Sequence, residues 1–133
     1  MTFQQMNAEL ESLIIASYES GVTLPEAEQL AGRFLAAQLR VSEELRKTDL
    51  DSRMKKSGVK SLRAAAYLDE CSKVEKKPSD VLLGAIVDSS PTVLEEQGAF
   101  DEAETARDEL ERLYSIYQNA HIHFRTIAKG SMG

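Results

Sequence analysis

The feature that most constrains this chain is a run of apolar residues at heptad spacing between Ser90 and Ala128. Ser90 and Pro91 open the run with a capping side chain and the residue preferred in a first helical turn. Heptad spacing keeps one side of a helix facing a partner helix. Two heptad positions form this C-terminal seam, one with Ala103, Leu110, Tyr117 and Phe124 and the other with Ala106, Leu113, Ala120 and Ile127.

The length of the C-terminal seam predicts a homo-oligomer. One chain has too few apolar helices to cover the seam from end to end, and uncovered Tyr117 and Phe124 would leave an exposed apolar patch. We therefore expect copies of the chain to associate through the C-terminal helix, as in a coiled coil. The predicted interface residues are Leu110, Leu113, Tyr117, Ala120, Phe124 and Ile127.

Helical periodicity extends through the rest of the chain. A capping box at Thr23–Glu26 starts a long second helix, and the pair Ser57–Gly58 predicts an interruption or a bend after it. The predicted helices are Thr2 to Tyr18, Leu24 to Lys56, Val59 to Val74, Val81 to Val87 and Pro91 to Ala128. The sequence predicts an all-α fold with two long antiparallel helices and shorter connecting helices. We expect a single domain over residues 1–128 and a disordered tail over 129–133.

Composition and motifs argue against several functional classes. The single Cys71 cannot form an internal disulfide, and no apolar run reaches the length of a membrane span, which favours a cytoplasmic protein without a membrane role. The sequence contains no phosphate loop, zinc spacing or nucleophile motif. His121 and His123 stand two residues apart, so on a helix they cannot share a metal ion. We expect neither an enzyme nor a bound cofactor or metal.

Positive charge is concentrated in the middle of an acidic chain. The formal net charge is −6, yet residues 40–77 carry eleven of the sixteen Lys and Arg residues. Five cations occur within eleven residues, which predicts contacts with a phosphate backbone, and an aromatic residue follows on which a base could stack. A solvated charged surface is the alternative. The predicted nucleic-acid-binding residues are Arg53, Lys55, Lys56, Lys60, Arg63 and Tyr67.

The order of these segments resembles that of the UvsY-like phage recombination mediators. The resemblance rests on the segment TLPEAEQLA at 23–31, the basic stretch MKKSGVKSLR at 54–63 with Tyr67 and Leu68, and the closing helix. It implies an all-α protein of the host cytoplasm that oligomerises through its C-terminal region. It also implies binding of single-stranded DNA and help to a recombinase in displacing single-strand-binding protein. The acidic net charge departs from the basic character expected of such a mediator.

A second hypothesis needs no nucleic acid. The chain could be a helical structural protein, or an inhibitor that presents acidic side chains to a basic target. The exposed side of the C-terminal helix supplies six such residues within eleven positions. They are Asp101, Glu102, Glu104, Asp108, Glu109 and Glu111.

Overall fold

The predicted all-α fold is confirmed by a computed structural model, which describes residues 1–73 and 79–130. Within those residues there are four helices and no strand: α1 (Phe3–Ser20), α2 (Leu24–Ser72), α3 (Asp80–Asp88) and α4 (Pro91–Gly130). In the same two ranges, no helix combines the length and the apolar character needed to cross a lipid bilayer.

The first two helices begin at side-chain caps. The Gln5 N–H donates to Thr2 Oγ1 (3.1 Å) while the Thr2 N–H donates to Gln5 Oε1 (2.9 Å), so two otherwise unpaired donors are satisfied at the start of α1. At the start of α2 the Glu26 N–H donates to Thr23 Oγ1 (3.3 Å), as the sequence predicts. Between the two helices Gly21 adopts a φ of +71°, a conformation that favours glycine.

Helix α2 is uninterrupted, so the predicted interruption at Ser57–Gly58 is wrong, while a bend there stays a prediction. The helix runs through both residues to Ser72, so the predicted second and third helices are one element. A glycine inside a helix costs only about 1 kcal/mol, which the burial of the adjacent Val59 offsets. The Glu96 carboxylate lies 3.1 Å from the position a Cβ at residue 58 would take, so the glycine sits where another helix approaches. The predicted end at Val74 lies outside the described residues.

The two later helices begin at the capping residues that the sequence predicts. The Leu82 N–H donates to Ser79 Oγ (3.2 Å), so the predicted cap opens α3. Helix α4 begins at Pro91 and continues through Gly130. Lys129 and Gly130 are therefore helical and do not belong to a disordered tail, while residues 131–133 lie outside the described residues.

The chain divides into two compact units, and the first combines Met1–Glu43 with Glu111–Gly133. Its core is aromatic: the ring of Phe34 lies 5.7 Å from that of Tyr117 and stacks at 5.6 Å on that of Phe124. All three side chains are at most 1% exposed. Here Ala31 contacts His121 and Phe34 contacts Tyr117, an order that makes α2 and α4 antiparallel within this unit. Helix α1 contributes the buried Leu10.

The second unit, Glu44–Leu110, has a core of smaller side chains. The buried residues are Ser52, Val59, Leu83, Val87, Val93 and Ala103. Asp49 pairs with Arg107 and Gly58 lies beside Glu96, so α2 and α4 are antiparallel in this unit as well. Helix α3 packs here through Leu83 and Val87 on one side. The single-domain boundary at 1–128 stays a prediction.

Candidate nucleic-acid interface

Five of the six predicted nucleic-acid-binding residues lie along one side of α2. Arg53, Lys56, Lys60, Arg63 and Tyr67 follow one another at steps of three and four residues, so in a helix of 3.6 residues per turn they share a face. We call these five residues the basic stripe. It spans about 21 Å at 1.5 Å per residue. The stripe is continuous only because α2 does not break at Gly58.

Lys55 does not belong to the basic stripe. It lies on the side of α2 next to the buried Ser52 and Val59, and its own side chain is half-buried. Its Nζ pairs with Asp51 Oδ2 one turn earlier, at 3.0 Å. The structure therefore does not bring Lys55 together with the other four cations, because a step of one residue along a helix rotates a side chain by about 100°. The role of Lys55 in nucleic-acid binding stays a prediction.

The fold brings carboxylates to three members of the basic stripe. Arg53 Nη2 lies 3.0 Å from Asp49 Oδ2, and Arg63 Nη2 lies 2.8 Å from Asp88 Oδ1. The Tyr67 hydroxyl donates to Asp80 Oδ1 at 3.0 Å. The sequence contains no acid between Arg53 and Arg63, so the segment itself does not predict these contacts with carboxylates. The pair of Arg53 with Asp49 is predictable from the sequence, since Asp49 precedes Arg53 by one helical turn. The two carboxylates of α3 come close to Arg63 and Tyr67 only in the folded chain.

Lys56 and Lys60 are the cations of the basic stripe that are most available to bind a ligand. Both are exposed, and within the described residues neither has a carboxylate partner. They lie one turn apart at the centre of the stripe. The pairs on either side are open to solvent, since the side chains of Arg63 and Asp88 are 50% and 58% exposed. Exposed pairs of this kind contribute at most about 1 kcal/mol, so they exchange partners easily.

A shallow cavity adjoins one end of the basic stripe. It has a volume of about 330 Å³ and is lined by Arg63, Asp88, Val93, Leu94 and Gln97. Leu94 is 56% exposed, so the cavity offers an apolar wall beside a guanidinium group. Tyr67 is half-buried with its hydroxyl bound to Asp80, which fixes the direction of its ring. Its role as a stacking platform stays a prediction.

The predicted oligomer interface requires a correction. Tyr117 and Phe124 are each 1% exposed and pack on Phe34 of the same chain, so they do not form an uncovered patch. The premise of the prediction is wrong for these two side chains, because Phe34 of α2 covers them without another copy of the chain. The remaining predicted interface residues are half-buried; they are Leu110, Leu113, Ala120 and Ile127.

An apolar groove lies beside the buried aromatic residues, between α1 and the C-terminal part of α4. It consists of two adjoining cavities of about 360 and 430 Å³ that share Ile14 and Ile116. Ile15 and Ile116 are 52% and 46% exposed. The groove thus includes Leu113 and Ala120 of the C-terminal seam, but its most accessible large side chains lie outside the heptad positions; they are Tyr18, Ile15 and Ile116.

The two histidines contact other parts of the folded chain, and the single cysteine is partly covered by it. His121 Nδ1 lies 2.8 Å from the Ala31 carbonyl oxygen, to which it donates. The ring of His123 stacks on that of Tyr18 and meets the edge of Phe124. Cys71 is a half-buried free thiol. In residues 1–73 and 79–130, no group of three or more His, Cys, Asp or Glu side chains is arranged to hold a metal ion.

Comparisons of the chain with protein-family models, with curated proteins and with solved structures find no match. The resemblance to UvsY-like mediators stays a hypothesis from the residue pattern.

Proposed function

We propose that this chain is a non-enzymatic single-stranded-DNA-binding protein of the recombination-mediator kind. The observation that carries the proposal is the basic stripe, four cations and a tyrosine on one side of an unbroken helix. A row of cations of this length is better suited to bind a flexible polyanion than a small ligand, because the cations follow one another along a line. By the resemblance given above, the protein partners would be a recombinase and a single-strand-binding protein.

The charge distribution predicts weak and salt-sensitive binding. For single strands the logarithm of the binding constant falls with the logarithm of the salt concentration with a slope of about −0.7 for each phosphate neutralised. Lys56 and Lys60 alone would give a slope of about −1.4, and all four stripe cations would give about −2.8. The net charge of −6 opposes binding further, so useful affinity would need several stripes on one strand.

Several stripes on one strand require assembly, for which we propose the groove between α1 and α4. The half-exposed Ile15 and Ile116 would lose water on association of two copies, together with the half-buried Leu113 and Ala120. This proposal keeps the C-terminal helix at the interface and replaces the buried Tyr117 and Phe124 by accessible side chains.

A triple variant tests DNA binding directly. Lys56→Ala, Lys60→Ala and Arg63→Ala should abolish binding of a fluorescent oligothymidylate in anisotropy titrations at low salt. The matched control carries Arg46→Ala, Arg125→Ala and Lys129→Ala, three exposed cations outside the stripe that give the same change in net charge. Helicity by circular dichroism and mass by light scattering should stay unchanged in both. Equal binding by the two variants, or absence of wild-type binding at low salt, would contradict the proposal.

The second candidate function is a helical interaction protein without a nucleic-acid role. The specific observation in its favour is the apolar groove, which is a surface for another helix whether or not DNA binds. Two measurements distinguish the two functions: binding of oligothymidylate at low salt, and self-association after the groove is altered. A protein that fails to bind oligothymidylate at low salt, yet loses self-association when the groove is altered, belongs to the second class.

A further inference from the structure

Helix α3 presents a carboxylate at each of its ends to the basic stripe. Asp80 is its first residue and accepts from the Tyr67 hydroxyl, and Asp88 is its last residue and pairs with Arg63 at 2.8 Å. The two residues are eight positions apart in the helix, about 12 Å along its axis. Two negatively charged groups from one element therefore engage two stripe residues that lie one turn apart.

We propose that α3 is a built-in competitor of single-stranded DNA, with the Asp88 carboxylate held where a strand phosphate binds to Arg63. The inference rests on the proposed function. Carboxylate and phosphate oxygens are both acceptors for a guanidinium group and use the same donors. A phosphate that binds the Nη2 group of Arg63 in the place of Asp88 must displace that carboxylate, and one that accepts from the Tyr67 hydroxyl must displace Asp80.

The pair can open without unfolding α3. Leu83 and Val87 are buried, so apolar contacts anchor the helix independently of its charged ends. Three carbonyl groups near its C-terminal end are also satisfied, since the Ser89 N–H donates to the Ala85 oxygen, the Ser90 N–H to the Val87 oxygen and the Ser89 hydroxyl to the Ile86 oxygen. Exchange of Asp88 for a phosphate is thus a local change of side-chain partner.

The exposure of the Arg63–Asp88 pair keeps the competition weak. Both side chains are half-exposed, so water and salt screen their attraction. Displacement of Asp88 by a strand phosphate therefore lowers the affinity for DNA only slightly.

The prediction is that removal of the Asp88 charge strengthens DNA binding. Asp88→Asn should raise the affinity for oligothymidylate about two- to fivefold at fixed salt, the range expected for the loss of one exposed ion pair. The salt slope should steepen by up to about 0.7, because Arg63 then enters the complex without releasing a carboxylate that recruits a cation. Asp80→Asn should act in the same direction.

The control is Glu102→Gln, which makes the same change in net charge at an exposed position of α4 in the same unit. A double-mutant cycle with Arg63→Ala then isolates the local effect. In the Arg63→Ala background, Asp88→Asn should gain no more affinity than Glu102→Gln does. Circular dichroism verifies that α3 and the rest of the fold are retained in each variant.

The outcomes separate this inference from the proposed function. If wild type binds and Asp88→Asn gains only as much as Glu102→Gln, the competition by α3 is overturned while DNA binding stands. If neither wild type nor Asp88→Asn binds oligothymidylate at low salt, the proposed function and this inference fall together. A gain specific to Asp88→Asn that disappears without Arg63 supports the competition.

Discussion

The Tyr117 hydroxyl donates a 2.6 Å hydrogen bond to Asn7 Oδ1, which joins α1 to α4 across 110 positions of sequence. The ring of Tyr117 is 1% exposed and packs on Phe34, so the residue connects three helical segments of the first unit. Burial, with a smaller contribution from the Glu11 carboxylate, raises the pKa of Tyr117 to about 12.

The raised pKa of Tyr117 predicts a loss of stability at alkaline pH. An ordinary tyrosine has a pKa near 10, so the unfolded chain releases this proton at lower pH than the folded chain does. The stabilisation is complete below about pH 10 and is lost as the pH rises towards 12, by up to about 3 kcal/mol. Urea unfolding of wild type and Tyr117→Phe at pH 9 and pH 11 should show a larger decrease for wild type. An equal decrease in both would contradict the assignment.

Phe34 should be the most sensitive core position of the first unit. Its ring contacts both Tyr117 and Phe124, so Phe34→Ala removes two aromatic contacts and leaves a cavity. We expect a loss of about 3–5 kcal/mol in the free energy of unfolding. Leu35→Ala is the matched control, because the neighbouring side chain is 46% exposed and its truncation should cost far less. Comparable losses in the two variants would show that the aromatic core is not what stabilises this unit.

Local signals in the sequence predicted the starts of the helices. Thr23, Ser79 and the pair Ser90–Pro91 act through hydrogen bonds or dihedral preferences within one turn, so neighbouring residues suffice to recognise them. The same kind of local signal predicts an interruption or a bend at Ser57–Gly58, and the interruption is absent. A preference of about 1 kcal/mol is small enough for the packing of Val59 to override it.

Tertiary contacts explain what the sequence did not reveal about the candidate site. The spacing from Arg53 to Tyr67 already places those side chains on one face once the helix is known to be continuous. The approach of Asp88 to Arg63 depends instead on how α3 folds back, which no spacing along the chain shows. The same holds for the cover that Phe34 provides to Phe124 across ninety positions.

Three glycines should respond differently to alanine. Gly32 is exposed inside α2 with open space beside it, so Gly32→Ala should stabilise the protein by about 0.5–1 kcal/mol. Gly58→Ala should gain less, because the Glu96 carboxylate, 3.1 Å from the new Cβ, has to move. Gly21→Ala should destabilise, since its φ of +71° is unfavourable for alanine. Melting temperatures should follow this order, and a gain for Gly21→Ala would contradict it.

The last prediction concerns self-association through the groove between α1 and α4. Wild type should have a mass in solution above the 14.7 kDa of one chain. A charge at Leu113 would test the C-terminal seam, but that side chain is half-buried and its loss would also disturb the fold. Ile116→Glu is the more specific test, because the side chain is 46% exposed in the single chain. A charge there should chiefly destabilise the interface, since the carboxylate would lose water on association.

Light scattering of Ile116→Glu should give a mass shifted towards that of a single chain, with helicity retained in circular dichroism. Leu39→Glu is the matched control, as it places the same charge on a 64% exposed leucine of α2 in the same unit but outside the groove. That variant should keep the wild-type mass. A monomeric wild type, or equal masses for Ile116→Glu and wild type, would exclude the groove as the surface that joins copies of this chain. DNA binding should weaken together with the mass, since separated chains present one basic stripe each to the strand.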